Sequence, residues 1–123
     1  EDTPAVGFAA GLERILLALE LQNLLPAQDK KISAFVVSGG SAADVYAFQL
    51  LTDLRRKNIA TAMDFGGKSM KAQMKAAAKS GAKFALIVGE DEVATSTVTV
   101  KNLQTAEQNK IPVADVANLS FDI

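Results

Sequence analysis

Lysine is concentrated in one stretch, GGKSMKAQMKAAAKSG, which spans residues 66–81 and contains no acidic residue. On a helix at 100° per residue, four lysines of this stretch fall within roughly 80° of arc: Lys68, Lys71, Lys75 and Lys79. The glycine pair before the helix leaves backbone N–H groups accessible beside this charge. Such a stripe suits a chain of phosphates, and a solvated helix face is the simpler alternative.

Three acids follow soon after the lysines. Glu90, Asp91 and Glu92 come directly after KFALIVG, whose nearly continuous apolar run predicts a strand buried on both faces. We expect the acids to lie in a loop at the carboxyl end of that strand, where open α/β sheets place ligands. Carboxylates there are solvated, hold a divalent ion, or accept hydrogen bonds from guanine or cytosine. Lysines for phosphates beside carboxylates for bases predict a single-stranded RNA site.

A third candidate is VSGGSAADV, residues 37–45, which has the form of a phosphate-binding strand-turn-helix. It lacks both the GxGxxG spacing and the P-loop lysine, so a plain tight turn is the simpler interpretation. The sequence contains no histidine and no cysteine. Disulfides, thiolate metal sites and the usual general base are therefore excluded, and we expect neither a catalytic residue nor a metal site.

Composition narrows the class of protein further. The 123 residues suffice for one compact domain with a single core. A net charge of -1 and a pI near 5.4 argue against non-specific coating of DNA or RNA, although they permit a local basic site. No apolar run reaches the roughly 20 residues that span a bilayer, and the first residues lack a basic signal-peptide region. The expected setting is the cytoplasm, with no membrane partner.

The elements that position these residues alternate along the chain. From residue 31 the patterns predict β-α-β-α-β, then a hairpin, then a short helix, which is an α/β fold with a mixed sheet of about five strands. On the first helix of this series, Val45, Phe48, Leu51 and Leu54 are expected to form the core face. Ser41 and Ser69 are the expected N-caps.

The first helix of the chain is unusual. From residue 9 to Leu25 its apolar residues surround almost the whole cylinder, which is typical of a helix inside a larger protein. We therefore expect the sequence to be the tail of a longer protein. Residues 1–25 would belong to a preceding domain, residues 26–30 would be a linker, and residues 31–123 would form the α/β domain.

Two segments resemble a known family. PAVGFAAGLERILLALE, residues 4–20, resembles motif 3 of the class II aminoacyl-tRNA synthetases in the form found in histidyl-tRNA synthetases. GGKSMKAQMKAAAKSGAKFALIVGEDEVATSTVTVKNLQTAEQNKIPV, residues 66–113, resembles the C-terminal anticodon-binding domain of that family. The strand-turn FVVSGGS departs from the family's more usual VVPLG type, and residues 26–60 match only weakly.

The resemblance implies a three-layer anticodon-binding fold and a specific partner, the anticodon stem-loop of tRNA-His. Histidine codons require a GUG anticodon, so two guanines are available to carboxylate acceptors. The residues implied in RNA binding are Gly66, Gly67, Lys68, Ser69, Lys71, Gln73, Lys75, Glu90, Asp91 and Glu92.

The resemblance also implies what the first helix does in a full-length enzyme. Arg14 corresponds to the motif 3 arginine that grips ATP, and Gly7 and Gly11 to the glycines that let ATP approach. The full-length enzyme would use ATP and Mg²⁺ and form a homodimer. Motifs 1 and 2 are absent from the sequence, so we expect this chain alone to be catalytically silent. Two alternatives remain open: a non-catalytic accessory or regulatory relative, and an unrelated flavodoxin-like phosphate or nucleotide binder.

Overall fold

The computed structural model describes residues 2–25 and 31–121. In chain order the elements are α1 (Leu12–Leu21), β1 (Ala34–Ser38), α2 (Ser41–Arg56), β2 (Thr61–Met63), α3 (Met70–Lys79), β3 (Phe84–Val88), α4 (Glu90–Thr95), β4 (Thr97–Asn102), β5 (Gln108–Pro112) and the 3₁₀ helix η1 (Val113–Asn118). The predicted order of strands and helices is confirmed, with the addition of α4.

The five strands form one mixed sheet in the order β2-β1-β3-β4-β5. Strand β1 pairs in parallel with both β2 and β3, whereas β4 is antiparallel to β3 and β5. The chain crosses from β1 to β2 in one direction and from β2 to β3 in the other. Because parallel crossovers are right-handed, this reversal puts α2 and α3 on opposite faces of the sheet.

Two apolar cores fill the spaces between the layers. On one face the α2 side packs on Val36, Leu86 and Val98, all fully buried. On the other face Val37 and Ala85 pack with Ala77 of α3. Neighbouring strand residues alternate between the two cores, as the pleat requires. The three-layer α/β architecture is confirmed.

Helix α2 buries two of the four residues predicted for its core face. Val45 and Phe48 are 67% and 54% exposed. Each three-residue step on a helix falls about 60° short of a full turn. Over the three steps from Val45 to Leu54 the side-chain direction therefore rotates by about 180° around the helix axis. Leu51 and Leu54 are buried as predicted, and Ala43, Ala47 and Leu50 complete the buried face. The small Ala43 and Ala47 let the helix approach the sheet, and Val45 and Phe48 turn away from it.

The two predicted N-caps have different outcomes. The Ser69 hydroxyl accepts a hydrogen bond from the Ala72 N–H at 3.4 Å, which confirms this cap. Ser41, by contrast, is the first residue of α2, and Gly40 occupies the cap position with a φ of 147°. A positive φ of this size favours glycine, so the turn itself fixes where the helix begins.

Helix α1 is shorter than predicted and is not covered. It begins at Leu12 and ends at Leu21, because Asn23 adopts a left-handed conformation with φ 54° and the Leu24 N–H donates back to the Leu19 carbonyl at 2.8 Å. None of its side chains is buried. The expected linker, residues 26–30, lies outside the described residues. No helix within the described ranges is long and apolar enough to cross a membrane.

The two turns at the carboxyl ends of β1 and β3 approach each other closely. The Gly39 N–H donates to the Val88 carbonyl at 2.7 Å. A Cβ added at Gly39 would lie 3.1 Å from the Gly89 Cα and 3.0 Å from the Met70 methyl group. The methyl group can move, but the Gly89 backbone directly follows the central strand β3 and cannot easily shift.

We therefore expect Gly39→Ala to lower the free energy of unfolding by about 1–3 kcal/mol, the usual range for overpacking. Urea denaturation measures this change. Gly7→Ala is the matched control, because a Cβ at Gly7 has no atom within 4 Å. An unchanged unfolding midpoint for Gly39→Ala would show that the two turns do not constrain each other.

Candidate nucleic-acid interface

One buried side chain joins residues 66–69, the segment before α3, to the sheet. Gln73, only 5% exposed, lies in the first turns of α3. Its Oε1 accepts from the Ser38 N–H at 2.9 Å, and its Nε2 donates to the carbonyls of Ser38 at 3.0 Å and Lys68 at 2.7 Å. Because a buried amide is costly unless it is paired, these bonds fix the segment before α3 against the end of β1. A role of Gln73 in RNA binding stays a prediction, and its hydrogen bonds are internal to the fold.

The lysine stripe is smaller than the sequence predicted. Helix α3 begins at Met70, so Lys68 precedes both the helix and its cap. Lys71, Lys75 and Lys79 are exposed on α3, and none forms an ion pair with another described residue. Three cations thus follow one another along a single helix face, and no acid of residues 2–25 and 31–121 pairs with them.

Lys68 does have an acidic partner, four residues before it. Its Nζ lies 2.7 Å from Asp64 Oδ2, and the Gly66 N–H donates to Asp64 Oδ1 at 2.8 Å. The hydrogen bond from Lys68 and that from Gly66 hold the pKa of Asp64 below its usual value. Gly67 next to them has a φ of 62°. Asp64 therefore shapes the glycine turn, and Lys68 is partly neutralised.

The acids do not lie in a loop, and this expectation was wrong. Glu90, Asp91 and Glu92 form the first turn of α4. Acidic residues stabilise a helix N-terminus, and the Glu92 carboxylate also accepts from the Gly89 N–H at 3.0 Å. The carboxylates of Glu90 and Asp91 are exposed and make no hydrogen bond with another described residue. They lie beside the end of β3, as the sequence predicted.

Glu92 is the most constrained of the three acids. Its Oε1 accepts from Lys110 Nζ at 2.8 Å and from Thr99 Oγ1 at 2.9 Å, and its side chain is 12% exposed. The Lys110 hydrogen bond, together with those from Thr99 and Gly89, lowers the pKa of Glu92 to about 2 against the opposing effect of burial. Glu92 thus joins α4 to strands β4 and β5.

A cleft of about 770 Å³ lies beside these residues and was not predicted from the sequence. It opens at the carboxyl ends of β1 and β2 and is called here the Phe48 cleft. Its lining combines the turn after β1, the start of α2 and the glycine turn before α3: Ser38, Gly39, Gly40, Ser41, Asp44, Val45, Phe48, Met63, Asp64, Phe65, Gly67, Lys68, Ser69, Met70 and Gln73. The apolar side chains of Val45 and Phe48 were the sequence signal for this cleft. They were missed because both residues were assigned to the core.

The residues predicted to contact ATP lie apart from this region, on and before α1. Gly11 is the N-cap of α1, and Gly7 has no neighbouring atom within 4 Å of an added Cβ. Arg14 is exposed and makes no hydrogen bond or ion pair within residues 2–25 and 31–121. The described residues contain no group of three or more acids placed to hold a metal ion. The predicted ATP contacts of Arg14, Gly7 and Gly11 stay a prediction.

Comparison with known proteins identifies the class of domain. Residues 33–119 match the family model described as "Anticodon binding domain", and the chain belongs to that family.

The relatives are more particular. The chain is 43% identical over 111 residues to the histidine–tRNA ligase of Natranaerobius thermophilus, and 39% identical over 117 residues to that of Halalkalibacterium halodurans. These alignments cover 90% and 95% of this chain but 26% and 27% of the relatives, so it spans about a quarter of their length.

Solved structures agree. The apo histidyl-tRNA synthetase of S. aureus superimposes with a TM-score of 0.68 at 34% identity, covering 87% of this chain and 27% of that one. The histidyl-tRNA synthetase from Nostoc sp. PCC 7120 gives a TM-score of 0.66 at 27% identity, covering 88% and 26%. The resemblance found in the sequence is confirmed, and the two alternative classes of protein are not favoured.

The Glu92 contacts predict a stability that depends on pH. The folded pKa of about 2 lies below the ordinary value of 4.5, so ionised Glu92 stabilises the fold above pH 4.5. This contribution is lost as the pH falls from 4.5 towards 2. We expect Glu92→Gln to cost at most about 3 kcal/mol at pH 7, with the difference from the unchanged chain narrowing across that window.

Urea denaturation between pH 7 and pH 2.5 measures the difference. Glu90→Gln is the matched control, because it removes the same charge from the same helix turn without breaking a side-chain hydrogen bond. A Glu92→Gln deficit that stays constant down to pH 2.5 would contradict the assignment.

Proposed function

We propose that this chain binds the anticodon stem-loop of tRNA-His as part of a histidine–tRNA ligase. The observation that carries the proposal is the exposed lysine row Lys71, Lys75 and Lys79, which has no ion pair among the described residues, within a domain that matches the anticodon-binding family. Uncompensated cations on a near-neutral chain favour a polyanionic partner. The relatives named as histidine–tRNA ligases support the choice of tRNA.

The proposed division of labour separates positioning from reading. Lys71 and Lys75 follow the phosphate backbone, and the backbone N–H groups of Gly67 and Ser69 precede them at the start of α3. The Gly66 N–H is already bonded to Asp64, so Gly66 contributes by shaping this turn. Lys68 contributes less, because Asp64 already neutralises part of its charge. Gln73 acts through its three hydrogen bonds, which hold this segment in place.

Two acids of α4 are the proposed base readers. Glu90 and Asp91 are exposed and can accept from the donors of a guanine edge. A carboxylate offers about four acceptor positions, and Glu92 uses three of them on Gly89, Thr99 and Lys110. The Glu92 backbone N–H also donates to this carboxylate, so the proposed part of Glu92 is to hold α4 in place for Glu90 and Asp91.

We expect Lys71→Ala and Lys75→Ala to weaken binding of a hairpin RNA with a GUG loop, and of one with an altered loop, by similar factors. Each should make the slope of log K against log salt shallower by about one unit or less, because a phosphate contact carries no sequence information. Fluorescence anisotropy at two salt concentrations measures both quantities.

Lys57→Ala is the charge-matched control, since Lys57 follows the far end of α2. In the same titration Glu90→Gln should cost roughly 1–3 kcal/mol against GUG and much less against the altered loop. No binding by the unchanged chain, or an equal effect of Lys57→Ala, would rule out the proposed function.

In a full-length enzyme we further propose that Arg14 contacts ATP, that Gly7 and Gly11 leave room for it, and that Mg²⁺ is bound by residues elsewhere. One contact cannot position two reactants. We therefore expect no histidine-dependent exchange of pyrophosphate into ATP by this chain alone. Exchange above the background of an Arg14→Ala variant would show that the chain holds an active site of its own.

A further inference from the structure

An exposed aromatic pair lies at the mouth of the Phe48 cleft. The rings of Phe48 and Phe65 pack edge to face, with centroids 6.2 Å apart and planes at 67°. The two side chains remain 54% and 66% exposed, so this contact gives neither ring the burial of a core residue. Phenylalanine is usually buried, and exposed aromatic faces beside a basic surface are the feature that single-stranded nucleic acids use for stacking.

The cleft behind the pair has room for one base. Its volume of about 770 Å³ lies within the usual range for small-ligand pockets. Two of its turns carry glycine where other residues would be strained: Gly40 has φ 147° and Gly67 has φ 62°. An added Cβ at either position would meet no atom within 4 Å, so both turns border open space. Met63 and Met70 supply apolar lining.

The polar lining offers an acceptor. Asp44 Oδ1 accepts from the Ser38 hydroxyl at 2.5 Å, whereas its Oδ2 has no hydrogen-bond partner among the described residues. Both oxygens of Asp64 are occupied by Gly66 and Lys68. A negatively charged acceptor repels phosphate and selects a base edge that carries N–H donors. Guanine presents two such donors, N1–H and the N2 amino group, on one edge.

We propose that the Phe48 cleft receives one unstacked guanine of the bound RNA loop, which stacks on Phe48 and Phe65 and donates to Asp44. This inference rests on the proposed function, since the lysine row brings the RNA to this end of the sheet. The cleft adds three residues to the interface that lie outside the lysine and α4 segments. It also gives the unusual turn after β1, the segment least like the histidyl-tRNA synthetase family, a direct place beside the base.

The test uses the 123-residue chain and a hairpin RNA with a GUG loop, in which each guanine is replaced in turn by inosine. Phe48→Leu and Phe65→Leu keep apolar bulk and remove the aromatic face. Each should weaken binding about 5-fold or more, as expected for loss of a stacked base. Phe8→Leu is the matched control, because Phe8 is 97% exposed and lies outside the cleft.

Asp44→Asn should weaken binding roughly 5- to 100-fold, and Asp53→Asn on the same helix should not. Inosine lacks the N2 amino group. At the guanine that enters the cleft, inosine should therefore cost affinity with the unchanged chain and little or nothing with Asp44→Asn. Circular dichroism of each variant checks that the fold is retained, which the exposure of these side chains leads us to expect.

The outcomes separate this inference from the proposed function. Absence of hairpin binding by the unchanged chain would overturn both. Normal lysine-dependent binding that Phe48→Leu, Phe65→Leu and Asp44→Asn leave unaltered would overturn only the guanine cleft, and the aromatic pair would then be a surface for protein contact. Additive effects of inosine and Asp44→Asn at both guanines would show that Asp44 does not touch the base edge.

Discussion

The buried amide of Gln73 is the contact on which the arrangement of the interface depends. It satisfies both the N–H and the carbonyl of Ser38 and also the carbonyl of Lys68, at 2.7–3.0 Å. These backbone groups belong to a strand end and to a glycine turn 30 residues later. Because unsatisfied backbone groups in a protein interior are costly, one side chain fixes the distance between them. The start of α3 and the opening of the Phe48 cleft are both set by this contact.

Some charged side chains form ion pairs within the fold, and others are exposed and can meet a partner. Asp64 with Lys68, and Glu92 with Lys110, are paired within the fold and hold turns and strands together. The lysines along α3 are not paired within the described residues. A domain of nearly zero net charge can thus present a one-signed surface on a single helix, since the balancing acids are spent on internal structure or placed on other elements.

The sequence was sufficient for the sheet and insufficient for the site. Apolar runs such as FVV and FALIV identified the strands, and alternation in β4 identified the hairpin, because these signals are local. Helix α4 was missed because its six residues are too few to show a helical period, although the acids of its first turn and the bond from the Gly89 N–H to Glu92 are local start signals. The cleft was missed because an apolar pattern does not distinguish Phe48 at the surface from Leu51 in the core. Only the packing of α2 on the sheet decides that difference.

The ends of the sheet limit how this domain can associate with others. Strand β2 has only three residues, and β5, the other edge, carries Lys110 and ends in Pro112, which has no N–H to donate. Short, charged or proline-containing edges are poor templates for an added strand. Association through backbone pairing is therefore disfavoured on both sides. The surface most prone to self-adhesion is helical instead, since Leu12, Leu21 and the neighbouring leucines of α1 face solvent. Solubility of the isolated chain is consequently governed by its first 25 residues and not by its β-sheet.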